Sequence, residues 1–150
     1  MGIAAGAAAL GGWTIWSGRG QSPLLLSARN DDAGQHYAVG NFLDGRRAFA
    51  TPVAERCHDI CRHPFLPLAL FVGRRPSRES YLVDLRNGTL LQTLHSQPQR
   101  HFYGHAVFHN SGQWLYATEN DTDEPGRGVL GRYWLDSKRL QLIHDGEVSS

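Results

Sequence analysis

The sequence CHDICRHPFLPLALFVGRR, residues 57–75, aligns without a gap with GHAVFHNSGQWLYATEND, which begins at residue 104. At this offset of 47 residues His58 falls on His105, and a less complete third copy begins near Leu24. Repetition at a period of roughly 40 to 50 residues, with β-rich content in each copy, is typical of propeller blades. The repeat therefore predicts an all-β chain, a β-propeller of four-stranded antiparallel blades.

The spacing of apolar runs and turns divides the chain into about three blades, residues 22–56, 57–100 and 101–150. The second and third copies each contain four runs typical of strands, while the first contains three. Propellers close with roughly four to eight blades, so three blades form an incomplete ring. We therefore expect an N-terminal fragment of a longer protein. The predicted strands span residues 24–28, 36–40, 48–51, 60–62, 68–72, 81–85, 90–94, 105–109, 114–118, 129–135 and 140–144.

Turn chemistry supports this division. Asp44, Asp84 and Asp136 each begin the turn between the predicted third and fourth strands of a copy. An aspartate at the start of a turn accepts hydrogen bonds from the turn's own backbone, and Asp-Gly or Asn-Gly pairs favour hairpins. The three aspartates therefore indicate the same connection in each blade.

The N-terminal residues 1–21 are predicted to lie outside the fold as a signal-like segment. Residues 3–16 are uncharged and consist mainly of Ala, Gly and bulky apolar side chains. This length matches the apolar region of a signal peptide and is too short for a comfortable membrane span. We therefore expect export, with no membrane span beyond this segment. The alternative is an Ala/Gly-rich tail without a targeting role.

Composition excludes some partners. The chain carries 15 basic and 14 acidic side chains, a formal charge of +1. A balance so close to zero gives no broad attraction for nucleic acid. Cys57 and Cys61 on one strand would lie roughly 13 Å apart, which is too far for a disulfide. We expect both to be buried as small apolar residues, because only a helix would bring them together with His58 and His63 as a metal cluster.

Residue types suited to ligand binding gather at the strand ends. His58 and His105 open the innermost strands of neighbouring blades, so we expect both to face one channel. Imidazole and carboxylate groups together suit a transition metal or an anionic cofactor, and paired guanidinium groups suit a carboxylate or phosphate. The alternative is that both histidines are structural and the charged loops are solvated. The candidate ligand-binding residues are His58, His105, Glu119, Asn120, Asp121, Arg74 and Arg75.

The sequence resembles the DUF1513 family of bacterial proteins. The resemblance implies an exported β-propeller of about seven blades, often with a twin-arginine signal, which this chain lacks. It also implies a periplasmic setting beside proteins of iron uptake, including imelysin-type and di-haem proteins, as partners. The segments that carry the resemblance are SARNDDAGQHYAVG (27–40), RHFYGHAVF (100–108), LYATEND (115–121) and GRGVLGRY (126–133).

Two functions remain open at this level. The sequence has no nucleophile elbow, P-loop, zincin helix or dinucleotide fingerprint in its required context, so no catalytic residue is assigned. The first hypothesis is a non-enzymatic module that binds a partner protein or a small ligand, linked to periplasmic iron uptake. The alternative is a metal- or cofactor-assisted propeller enzyme, lactonase- or dehydrogenase-like, with His58, His105 and Glu119 as ligands or acid/base groups.

Overall fold

A computed structural model describes residues 14–16 and 22–149, and these form twelve β-strands and no helix. No segment of this part of the chain is a helix long and apolar enough to cross a membrane. The strands are β1 (Thr14–Trp16), β2 (Leu24–Asn30), β3 (His36–Phe42), β4 (Arg47–Val53), β5 (Cys57–Arg62), β6 (Leu68–Gly73), β7 (Glu79–Asp84), β8 (Leu90–His95), β9 (Arg100–Phe108), β10 (Trp114–Asp121), β11 (Gly128–Asp136) and β12 (Gln141–Ser149).

The strands form three four-stranded antiparallel sheets in chain order, which confirms the all-β prediction. Sheet 1 contains β1 to β4, sheet 2 contains β5 to β8, and sheet 3 contains β9 to β12. The first copy thus has four strands where the sequence predicted three. Its additional strand, β1, lies within the segment expected outside the fold, and Thr14 pairs with Leu26 of β2.

The three predicted aspartate turns are present. Asp44 Oδ1 accepts from the Arg46 amide at 3.0 Å, and Asp84 Oδ1 accepts from the Arg86 amide at 2.9 Å. Asp136 Oδ1 accepts in the same way from the amide two residues later, at 3.0 Å. In all three sheets this turn joins the third strand to the fourth, so the connection repeats as the sequence indicated.

Two apolar clusters join the sheets face to face. The first contains residues of sheets 1 and 2, among them Leu26 and Phe71. The second contains residues of sheets 2 and 3, among them Leu70 and Phe102. Sheet 2 is therefore covered on both faces, and its strand β6 is buried along its whole length. Continuous burial explains the unbroken apolar run LALFV, which lacks the alternation of a half-exposed strand.

The structural repeat between sheets 2 and 3 has an offset of 46 residues, one fewer than the gap-free alignment. The His63 amide donates to Leu68 O across the β5–β6 turn, and the His109 amide donates to Trp114 O across the β9–β10 turn. Both pairs of equivalent positions are 46 residues apart. A one-residue slip moves every side chain of a strand to the opposite face. His58 and His105 are therefore not equivalent positions, since His105 corresponds to Asp59.

Strand β9 is longer than the sequence predicted, and the two cysteines are buried as it predicted. Strand β9 begins at Arg100, five residues before the predicted strand at residue 105, so His101 to Tyr103 belong to the strand. Phe102 is fully buried in the cluster between sheets 2 and 3, as expected for packing between blades. Cys57 and Cys61 are buried free thiols on one strand, which confirms that they form no disulfide. Burial raises the pKa of each thiol to about 12.

Candidate functional site

His58 and His105 lie together where sheets 2 and 3 meet. Their ring centroids are 5.2 Å apart, with an angle of 77° between the ring planes. His58 lies in a bulge, where the pairing of β5 with β6 shifts between Cys57 and Asp59. Gly104 faces it with a φ of +106°, and a Cβ at Gly104 would lie 3.0 Å from the His58 ring. The close approach of the His58 ring to the backbone of residue 104 therefore depends on a glycine, which adopts positive φ without strain.

A carboxylate orients the second imidazole. His105 Nδ1 lies 3.4 Å from Asp59 Oδ2, and the other oxygen of Asp59 accepts from the Ile60 amide at 2.8 Å. The backbone carbonyl of His105 accepts from the Thr118 hydroxyl at 3.1 Å. With Nδ1 directed at Asp59, the Nε2 atom of His105 is the ring nitrogen available for a ligand.

Two arginines follow β6 directly and complete the site. The Arg74 amide donates to Arg56 O at 2.8 Å, which fixes the backbone at the end of sheet 2. Arg75 Nη1 donates to the Tyr103 hydroxyl at 2.5 Å, and the guanidinium carbon lies 4.8 Å from the ring centroid. A guanidinium held by a ring face and a hydroxyl retains its full charge and further N–H donors.

These side chains enclose a cleft of about 410 Å³, here called the first cleft, lined by His58, Arg74, Arg75, Tyr103 and His105. Within the described part of the chain neither Arg74 nor Arg75 forms an ion pair with a carboxylate. Six other described arginines do so: Arg46, Arg86, Arg100, Arg127, Arg132 and Arg139. The first cleft is therefore a concave surface with two uncompensated positive charges, which attracts anions.

Glu119 does not join this cleft. It is 2% exposed and shares the buried face of sheet 3 with Tyr133, whose hydroxyl donates to Glu119 Oε1. Gly131 makes room for it, since a Cβ there would meet Glu119 Oε1. Burial raises the pKa of Glu119 above its ordinary value of 4.5. Glu119 is therefore a buried structural group of sheet 3 and no neighbour of His58 and His105.

Asn120 and Asp121 also serve sheet 3 instead of the first cleft. They belong to strand β10, which extends three residues beyond the predicted end at residue 118. Asp121 pairs with Arg100 at 2.8 Å and with Arg127 at 3.7 Å. Backbone amides at Asp123 and Glu124, together with the two arginines, hold the pKa of Asp121 below its ordinary value. The carboxylate is fully engaged and is not available to a ligand.

The described residues offer little to a metal ion. They contain no group of three or more His, Cys, Asp or Glu side chains arranged to hold one. His63, which a helix would have brought to the cysteines, is buried, and its Nδ1 accepts from the Phe65 and Leu66 amides at 3.0 and 2.9 Å. Its Nε2 donates to Gly112 O at 2.9 Å, so both ring nitrogens are occupied by backbone.

Sequence reasoning thus found four of the five residues that line the first cleft and missed two contributors. Tyr103 and Asp59 are not among the candidate residues predicted from the sequence. The structural offset of 46 residues supplies the missing signal, because it aligns polar Asp59 with polar His105 on adjacent inner strands. Asp59 is half-buried and His105 is exposed, and their side chains lie 3.4 Å apart across the boundary between sheets 2 and 3.

Comparison with known proteins identifies a family without a described activity. No curated protein and no solved structure matches the chain. Residues 51–150, which contain every residue lining the first cleft, match the model of the family described as "Protein of unknown function (DUF1513)". Because this match covers two thirds of the 150 residues, the chain belongs to the DUF1513 family.

Proposed function

We propose that the three sheets are consecutive blades of a β-propeller and that the first cleft binds a small anion without catalysing a reaction on it. The single observation that carries the binding proposal is the pair of arginines, Arg74 and Arg75, exposed beside two imidazoles with no carboxylate partner among the described residues. Two neighbouring guanidinium groups without a carboxylate beside them raise the local positive potential and present N–H donors to an oxyanion.

The way in which the sheets stack supports the propeller. The inner strands β5 and β9 lie beside each other, and the outer strands β8 and β12 are joined by Gln92, which bonds both the amide and the carbonyl of Leu142 at 2.7 and 2.9 Å. Successive blades of a propeller pack in this order, from channel to rim. The outer face of sheet 3 also exposes apolar side chains that a further sheet would cover: Val107, Trp134, Ile143 and Val148.

The chemistry of the first cleft favours a carboxylate or a phosphate. Guanidinium groups bind such oxyanions through two parallel N–H donors, and the charge assistance makes these bonds strong. His58 adds a ring N–H donor to the same concave surface, whereas the N–H of the neutral His105 ring is directed at Asp59. Tyr103, whose hydroxyl accepts from Arg75, shapes one wall and keeps that guanidinium in place. The arrangement positions donors around an anion and presents no activated nucleophile.

Calorimetric titration of the full chain with inorganic phosphate, and separately with acetate, tests the proposal. We expect binding at low salt that falls by at least about tenfold in Arg74→Ala and in Arg75→Ala, since each loses a charge-assisted hydrogen bond. Arg47→Ala is the matched control, because Arg47 is exposed on sheet 1, away from the first cleft. Absence of binding to both anions, or an equal loss in the control, would refute the proposal.

A metal-assisted enzyme is the second candidate, favoured by the contact between His58 and His105. Two imidazoles 5.2 Å apart between ring centroids, with Asp59 beside one of them, are a partial ligand set. Glu119, proposed as the third group, is buried with Tyr133. Titration with Zn²⁺ and Fe²⁺ distinguishes the candidates: stoichiometric binding that disappears in His58→Ala and His105→Ala would favour the enzyme.

An exported, periplasmic location and partners in iron uptake stay predictions. They rest on the apolar residues 3–16 and on what the family resemblance implies. Residues 3–13 lie outside the described residues, while Thr14–Trp16 form β1 and pair with β2. Fractionation of bacteria that express the full chain measures the location directly, and recovery in the cytoplasm alone would contradict export.

A further inference from the structure

We propose that the bound anion carries at least two charged groups and that His36 and Arg56 form a second subsite for it. This inference rests on the proposed function, because it extends the same site. The carrying observation is a second cleft of about 430 Å³ that shares Arg74 and Arg75 with the first. The shared arginines make the two clefts adjoining halves of one basic groove.

The second cleft lies where sheet 1 meets sheet 2. Its wall comes from the end of sheet 1, the segment that leads into β5, and the turn after β6. Arg56 is exposed, as are Arg74 and Arg75. The polar side chains that line it are His36, Glu55, Arg56, Arg74, Arg75 and Ser77.

Backbone hydrogen bonds keep the three arginines together. The Arg74 amide donates to Arg56 O at 2.8 Å, so the two residues occupy adjacent positions at the end of sheet 2. The Ser77 amide donates to Arg74 O at 2.9 Å and closes the turn that carries Arg75. The turn therefore stands between the clefts, with Arg56 on one side and the two imidazoles of the first cleft on the other.

The histidine of the second cleft is oriented as His105 is in the first. His36 Nδ1 donates to Asn30 Oδ1 at 2.8 Å, which leaves Nε2 of the neutral ring as an acceptor for a hydroxyl or a protonated oxygen of the ligand. Glu55 is the one acidic residue in the lining, against three guanidinium groups. Within the described part of the chain Arg56 forms no ion pair, so the second cleft, like the first, has an excess of positive charge.

A ligand with several charged groups should bind the two adjoining clefts more tightly than a single anion does. One phosphate or carboxylate fills one cleft, and a linked second group then binds the other cleft at high effective concentration. Arg74 and Arg75 lie between the two groups and neutralise the charge that connects them. The chemical class is therefore a linear oligophosphate or an oligocarboxylate.

Two pairs of probes test the inference on the full chain: phosphate against tripolyphosphate, and acetate against citrate. In each pair that binds, we expect the multiply charged anion to bind the wild-type chain at least about tenfold more tightly. Arg56→Gln should abolish that advantage and leave the affinity for the single anion within about twofold, because Arg56 does not line the first cleft. Arg47→Gln, at an exposed position on sheet 1, is the control for overall charge.

The outcomes separate this inference from the proposed function. If the single anion binds and neither multiply charged anion binds more tightly, or if Arg56→Gln retains the advantage, the second subsite is refuted and the first cleft stands. An equal loss in Arg47→Gln would show general charge attraction and also refute the subsite. If none of the four anions binds, the proposed function itself fails.

Discussion

Sheets 2 and 3 each begin with an equivalent hairpin, but the second strand of that hairpin ends differently in the two sheets. At the structural offset of 46 residues, Arg74 and Arg75 correspond to Asn120 and Asp121. In sheet 3 the strand continues through these positions, and Asp121 is held by Arg100 and Arg127. In sheet 2 the strand stops at Gly73, and both arginines stand in the first cleft without a carboxylate.

The difference distinguishes residues that stabilise the end of a sheet from residues that are available to a ligand. Asp121 and Arg100 have side chains only 8% and 13% exposed, and each satisfies the charge of the other. Such a closed pair fixes the end of a sheet and offers nothing to a ligand. Arg74 and Arg75 form no such ion pair among the described residues, and in the proposed function their exposed charges bind the anion.

The hairpin turns show the same contrast between equivalent histidines. His63, in the β5–β6 turn, is buried and bonded through both ring nitrogens to backbone groups. His109, in the β9–β10 turn, is exposed, and its ring Nδ1 bonds the hydroxyl and the amide of Ser111, two residues later in the same turn. Only His63 is covered by a neighbouring sheet, because Gly112, whose carbonyl accepts from the His63 ring, belongs to the β9–β10 turn of sheet 3. A structural histidine in this fold is therefore recognised by burial and backbone bonds, which His58 and His105 lack.

The largest expected effect tests the closed end of sheet 3. Arg100→Met removes the partner of Asp121 and Glu147, and we expect the free energy of unfolding to fall by about 2 to 3 kcal/mol. Arg75→Met at the open end of sheet 2 should change it by less than about 0.5 kcal/mol. Urea unfolding of both variants measures the difference. Equal losses would show that the two ends are alike.

The second-largest effect is expected when the end of β6 receives the residues found at the end of β10. The double variant Arg74→Asn, Arg75→Asp gives sheet 2 the residues of sheet 3, and we expect anion affinity to fall by at least about tenfold, or 1.4 kcal/mol. The melting temperature should change little, because both arginines are exposed. Calorimetric titration with phosphate measures the affinity. Unchanged binding would exclude these arginines from the site.

Glu119 should make the stability of the fold decrease as the pH rises above 4.5. Because its pKa is raised in the folded state, the buried carboxyl stabilises the fold below its ordinary pKa of 4.5, and this contribution is lost as the pH rises through the folded value. One proton gives a slope of at most about 1.4 kcal/mol per pH unit. Urea unfolding from pH 4 upward should show this fall in the wild type and not in Glu119→Gln.

The control for this experiment is Glu124→Gln, at an exposed position in the loop after β10. It should follow the wild-type curve. A wild-type curve that runs parallel to that of Glu119→Gln across the whole range would contradict the burial of an acidic group there.

The smallest effect concerns His63. Burial lowers its pKa below 6.5, so the neutral ring stabilises the fold above 6.5 and this contribution is lost as the pH falls through the folded pKa. The free energy of unfolding should therefore decline below pH 6.5 by more in the wild type than in His63→Asn. His109→Asn, in the equivalent exposed turn, should leave the decline unchanged, and an identical curve for all three proteins would be the contrary result.

Much of the fold was predictable because turns and strands have local causes. The aspartate at the start of each third turn predicted the connection between the third and fourth strands of each sheet. The one-residue error in the repeat has a physical origin in β6, which is buried on both faces. Its apolar run LALFV fits either register equally well, so the pattern could not decide which side chain faces which sheet.

The site was only partly predictable for a related reason. Contact between His58 and His105 follows from the adjacent strands β5 and β9, the first strands of two neighbouring copies of the repeat. The burial of Glu119 depends on Tyr133 and Gly131 in the next strand, and that pairing is set by register, which the sequence pattern leaves open. Strand β1 was not predicted, because residues 1–21 were assigned to a signal-like segment on the basis of their composition.

The most direct measurement is nuclear magnetic resonance of the histidine side chains during a phosphate titration of the full chain. The chain contains eight histidines, which serve as probes of known position. Our account predicts saturable shifts at His58 and His105, with His63 and His109 unmoved. Absence of shifts at the first two, or equal shifts at His109, would contradict an anion site in the first cleft.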